Sequence, residues 1–189
     1  MGRVLVTAPS VEPLSLTEAK AFLRVTFDDD DALIAKLVAG ARARAEERQG
    51  RAYLTQTWDL YLDAFPGSEE AIEIPLPPLL SITSVTYTTS ADVPVVLAAS
   101  EYYVDSVTQP GRILPAFGKS WPSDTLRIAN GVVVRFVAGY GPTAADVPPK
   151  VLGAFRKLLA HYYVARDITT EIPQGIAEEL WEGYARQFA

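Results

Sequence analysis

The sequence predicts an α+β protein, with a helical core formed by the N- and C-terminal helices and an inserted antiparallel β region. Two observations predict it. Apolar residues recur at helical spacing at both ends of the chain and at a two-residue spacing in the middle. The middle runs are separated by short Pro, Gly, Ser and Asp clusters, which suit hairpins and leave no room for crossover helices. The boundaries read as residues 1–52 and 142–189 for the helical core and 53–141 for the β domain. With 189 residues, 49% of them hydrophobic, the chain is long enough to bury an interior.

The first helix is expected from about Leu16 to Arg24, because Ser15 stands three residues ahead of Glu18 in capping-box spacing. The second carries Leu33, Ile34, Leu37, Val38, Ala41 and Ala45 on one stripe. Asp28–Asp31 precede it, Arg42, Arg44 and Arg48 lie toward its end, and Gly50 follows in a position suited to a left-handed cap. The period then changes: Gln56, Trp58, Leu60 and Leu62 alternate with Thr57, Asp59, Tyr61 and Asp63. Further strand-like runs begin at Ala71, Ser81, Val93, Glu101, Gly111, Thr125 and Val132. A helical stripe returns with Val151, Leu152, Phe155, Leu158, Leu159 and Tyr162, behind Pro148 and Pro149 in a first turn that tolerates missing amides. A last helix, roughly Gln174 to Phe188, carries Ile176, Leu180, Tyr184 and Phe188 on one side. The stripes at the two ends are too apolar to remain in water, so the terminal helices are expected to pack on each other.

Composition narrows the chemistry. A net charge of −6 gives no global attraction to nucleic acid or an anionic membrane. There is no cysteine, hence no thiolate nucleophile and no Cys-based zinc site, and the single histidine, His161, cannot build a His-based one. The start "MGRVLVTAPSVEPLSL" holds a short apolar stretch cut by prolines, and no run approaches the length of a membrane span. The chain therefore reads as soluble and without a secretion signal.

Four features invite a chemical reading. The run Gly139-Tyr-Gly141-Pro-Thr-Ala144 matches G-x-G-x-x-A, the letters of a dinucleotide-binding turn. Pro142 removes an amide from that loop and no second parallel strand follows, so the glycines are expected to end a strand by allowing positive φ. Asp28–Asp31 lack the alternate spacing and the glycine of a calcium loop and are expected to be a solvated helix start. His161 has no G-x-S-x-G partner, and a surface or interface position is expected for it. Paired-carboxylate hydrolysis remains open on sequence, with no feature recommending it. No catalytic residue, cofactor or metal ligand is assigned.

Two clusters point to surfaces. Arg42, Arg44, Arg48 and Arg51 form a locally basic face in an acidic chain, suited either to phosphate contact or to the helix dipole and Glu46 and Glu47. Trp181, Tyr184 and Phe188 gather near the end, where large aromatics either dock in their own core or anchor a partner.

The stretches "EPLSLTEAKAFLRVTFDDDDALIAKLVAGARARAEERQGRAYLTQTW", "PGRILPAFGKSWP", "VVVRFVAGYGPTAADVPPKVLGAFRKLLAHYYVARD" and "IPQGIAEELWEGYARQF" together resemble the head–tail connector (adaptor) proteins of tailed bacteriophages and phage-derived gene transfer agents. The resemblance implies a non-enzymatic subunit of a homo-oligomeric ring, typically of twelve, in the virion at the head–tail interface. Such a ring sits under the portal protein, joins it to the stopper or tail-completion protein, and extends a channel through which DNA passes without sequence specificity. No membrane partner is implied, and synthesis would be in the bacterial cytoplasm. On this reading Trp181, Tyr184, Phe188 and Ala189 are expected to meet the portal. Arg42, Arg44, Arg48 and Arg51 are expected near a subunit interface or the channel. A stopper or tail-completion protein is the competing structural reading, and a small hydrolase or nucleotide-binding enzyme the competing reading from another class.

Overall fold

The computed structural model describes residues 2–185, with side chains described through Leu180. It is a mixed α+β protein of four α-helices and eight strands among the described residues. The chain forms two compact units, a β unit from residues up to 8 and 55–139, and a helical unit from 9–54 and 140 onward.

In the helical unit, α1 (Leu16–Leu23) begins with the Ser15–Glu18 capping box and ends on Arg24 in the left-handed conformation, φ 58°. α2 (Asp31–Gln49) ends on Gly50 at φ 63°, whose amide turns back to the carbonyls of Glu46 and Glu47. α3 (Pro149–Ala165) has Pro149 in its first turn. α4 spans Gln174–Ala185. Each helix contributes to one buried cluster: Ala19 from α1, Ile34, Leu37 and Val38 from α2, Phe155, Leu158 and Tyr162 from α3, and Leu180 from α4. At about 25 cal/mol per Å² of apolar surface withdrawn from water, this cluster is the unit's main source of stability.

The β unit holds two sheets, antiparallel throughout. The larger follows the order β1-β2-β8-β4-β5, with β1 Gly2–Thr7, β2 Gln56–Leu62, β8 Val132–Ala138, β4 Leu79–Thr88 and β5 Pro94–Leu97. The smaller follows β3-β7-β6, with β3 Ile72–Ile74, β7 Gly111–Pro115 and β6 Tyr102–Asp105. Central β8 alternates as a half-buried strand does, burying Val132, Val134, Phe136 and Ala138. Arg135, on its open face, closes a two-pronged ion pair on the cross-strand Asp59 at 2.7 and 2.8 Å.

Four expectations need correcting. Residues 2–7 belong to the β unit as strand β1, not to a helical segment 1–52. Tyr53 and Leu54, read as the start of the β domain, are buried in the helical cluster. The run at Thr125 makes only an isolated bridge, Thr89 to Leu126, because a single pairing is all it finds. Gly139 takes positive φ, 131°, but Gly141 does not. At Gly141 the constraint is space: a Cβ there would fall on the Asp146 carboxyl group.

Candidate interaction surface

The four arginines do not form one face. Arg51 is fully buried, its guanidinium over the Tyr140 ring at 5.4 Å and donating to the Tyr140 hydroxyl. Burial beside Glu46 pushes the neighbouring Tyr53 hydroxyl well above its usual range. Arg42 is clamped between two carboxylates, Nε to Glu12 at 2.7 Å and Nη1 to Glu46 at 2.8 Å. Glu46 also accepts from the Tyr53 amide at 2.7 Å, so the Glu12–Arg42–Glu46 chain ties the entry of α1, the middle of α2 and the segment after α2 together. Arg42 and Arg51 are internal struts, and Arg51 exposes no surface in the protomer.

Arg44 and Arg48 do reach solvent. With Glu47, Glu171, Ile172 and Ala177 they line a concavity of about 520 Å³ in the helical unit. Among the described residues its lining carries both signs of charge, Arg44 and Arg48 with Glu47 and Glu171. Buried Gln49 donates to the Leu180 carbonyl and anchors α4 to the end of α2. Trp181 and Tyr184 lie on the last turns of α4. Their side chains, with Phe188 and Ala189, fall outside the described residues.

The aspartates at the start of α2 are not uniformly solvated. Asp28 and Asp31 share Lys20, at 2.6 Å each. Asp30 is buried, accepting from the Tyr163 hydroxyl at 2.6 Å and from Arg166 at 3.1 and 3.3 Å. The Tyr163 hydrogen bond, with help from Arg166, lowers the Asp30 carboxyl below the usual range. The pattern DDDD gave no way to see which aspartate would turn inward, since Tyr163 and Arg166 are more than a hundred residues away.

Gly139 and Gly141 lie at the end of an antiparallel strand: the Gly139 amide bonds to the Pro78 carbonyl and the Tyr140 amide to Tyr53. The switch point of parallel strands that a dinucleotide fold requires is missing here. The carboxylate of Asp146 instead accepts from the Thr143 amide and hydroxyl, at 2.8 and 2.7 Å, forming a second capping box that leads toward α3. His161 is half-buried beside Tyr162, ring centres 5.7 Å apart. Among the described residues no group of His, Cys, Asp or Glu is arranged to hold a metal, and no helix is long and apolar enough to cross a membrane.

The β unit holds a feature that the sequence reading passed over. Phe65 stacks on Trp121 at 5.3 Å and meets Tyr87 edge-on, and Phe65 and Trp121 line a concavity of about 500 Å³ together with Asp63, Asp124 and Arg127. Phe117 and Ile128 stand out fully into solvent nearby in sequence. The two aromatics in "PAFGKSWP" were the available signal, but spacing alone does not separate the buried Trp121 from the exposed Phe117.

Comparison with known proteins shows what the chain is similar to. Residues 13–91 match the family described as phage gp6-like head-tail connector protein. Nearly the whole fold is similar to that of solved chains, among them the following three. One comes from the neck of an empty gene transfer agent particle computed with C6 symmetry, at TM-score 0.79 and 22% identity over 96% of this chain and 94% of that one. Another comes from the virion of a native gene transfer agent particle, at TM-score 0.79 and 23% identity over 97% and 95%. A third comes from the neck of a native particle computed with C12 symmetry, at TM-score 0.72 and 24% identity over 96% and 94%. No curated protein matches the chain. The family match and the shared fold bear out the resemblance to head–tail connector proteins.

Proposed function

We infer that this chain is a structural head–tail connector subunit of a phage or gene transfer agent particle. Copies form a ring under the portal, join the capsid to the stopper or tail-completion protein, and extend the DNA channel. The helical unit is the connector core, and the β unit is its insertion. The single observation that carries this reading is the family match over residues 13–91. It is supported by the likeness of nearly the whole fold to chains from particle necks.

The chemistry is consistent with a function made of surfaces. Several residues that the sequence singled out serve the protein's own structure: Asp30 through its hydrogen bonds, Arg42 and Arg51 as internal struts. A net charge of −6 suits passage of DNA, since each phosphate neutralised by a cation adds salt-dependent affinity and would retard movement. Of the four arginines, Arg44 and Arg48 are left to serve a neighbouring subunit or the channel. Trp181, Tyr184, Phe188 and Ala189 remain the proposed portal anchor.

Particles assembled without this chain test the role. DNA-filled heads and free tails should accumulate unjoined. Normal tailed particles in its absence would overturn the assignment.

A further inference from the structure

The larger sheet ends in two open edges of different character. All six residues of β1 are exposed, and Val4, Leu5 and Val6 show 54%, 43% and 44% of their surface to solvent. The outer edge of β1 meets no strand among the described residues; the strand holds no Lys or Pro, and its one charge, Arg3, lies over the Trp58 ring. An apolar, unblunted edge is a template for another strand, and a folded protein that keeps one normally has it covered. At the opposite end, β5 pairs only with β4 and exposes Val96 at 68%. Val93, Val95 and Leu97 turn their backbone groups to β4 and Pro94 has no amide, so β5 presents outward the Val96 amide and the Pro94 and Val96 carbonyls.

The directions of these edges follow from the strand order. Every neighbouring pair in β1-β2-β8-β4-β5 is antiparallel, and the sheet has an odd number of strands. β1 and β5 therefore point the same way. A copy displaced sideways, turned by about 30° as a twelve-membered cyclic ring requires, brings its β1 beside β5 of the first copy with the two strands parallel. A two-fold β1-to-β1 contact would instead be antiparallel and would close after two copies.

Resting on the ring-forming reading above, we propose that β1 of one copy pairs in parallel with β5 of the next, joining the large sheets of neighbouring subunits around the ring. The occupant of the β1 edge is thus a second copy of this chain. The contact is heterologous, with a different edge on each side, which is what an open-ended chain of copies needs in order to close by rotation. Parallel pairing is slightly weaker per residue than antiparallel. The Val96 amide and the Pro94 and Val96 carbonyls make a short seam, suited to subunits held also by a partner ring.

Because the chain has no cysteine, introduced thiols report the contact cleanly. Full-length Val4→Cys/Val96→Cys and Val4→Cys/Val95→Cys, which sample both faces of β5, are oxidised alone and after mixing with portal. Paired strands stand about 4.8 Å apart, within disulfide range. Assembly is measured separately by native mass. A ring whose chains link into a covalent ladder, lost when either cysteine is absent, supports the pairing. A ring without linkage, or dimers from Val4→Cys alone, overturns the pairing and leaves the ring reading intact. A ladder without a closed ring supports the pairing and overturns ring closure. Neither ring nor linkage, alone or with portal, overturns both.

Discussion

At the scale of single residues, buried charge does the organising. Arg51 is enclosed within its own subunit, so its contribution is to folding. Deleting a fully buried side chain that donates to Tyr140 leaves a cavity and an unpaired hydroxyl, together about 3–5 kcal/mol. Arg51→Ala should lower the melting temperature by about 6–20 °C, at 2–4 °C per kcal/mol for a chain of this size. A melt unchanged from wild type would contradict the strut assignment. Exposed Arg48→Ala should leave the melt unchanged, which separates the two arginines by role.

Asp30 gives a pH dependence with a definite sign. Its folded-state pKa is depressed by the Tyr163 hydroxyl and Arg166. The stability it contributes is present above the unfolded-state value of about 3.9 and is lost as pH falls through the lower folded-state value. Asp30→Asn should be less stable than wild type at pH 7. The gap should narrow as pH falls below about 4. Denaturant unfolding of both proteins across that range checks it, and a gap that stays constant would mean that the Asp30 charge is irrelevant to folding.

Among the elements, α1 tests the local logic most simply. Ser15 accepts from the Glu18 amide, and Glu18 returns to the Ser15 amide at 2.9 Å. Ser15→Ala should cost about 1 kcal/mol, measured by denaturant titration. α4 divides at Leu180, which is buried and receives the Gln49 bond, whereas the aromatics assigned to the portal follow it. A chain ending at Leu180 should keep its fold by circular dichroism and lose portal binding. Undiminished binding would remove the anchor role from residues 181–189.

The helices were legible in sequence because caps and stripes are local: Ser15, Gly50 and Pro149 stand where the sequence placed them. β2 and β8 were legible because one face is buried and alternation follows. β1 was not legible, since a strand exposed throughout has no alternation to show, and Val4-Leu5-Val6 reads as an unpatterned apolar patch. The sides taken by Arg51 and Asp30 were hidden for another reason: each is fixed by partners distant in sequence. The glycine pattern misled only as letters, and Pro142 already argued against a phosphate cradle.

At the scale of the whole molecule, a chain whose buried Arg51 and Asp30 serve its own architecture, and whose large sheet keeps two unlike open edges among the described residues, is suited to repeat around an axis. The most direct test of the connector assignment is native mass measurement of the full-length protein, alone and mixed with its portal. The account predicts a closed assembly of many copies on the portal ring. A small oligomer of fixed size, indifferent to the portal, would contradict it.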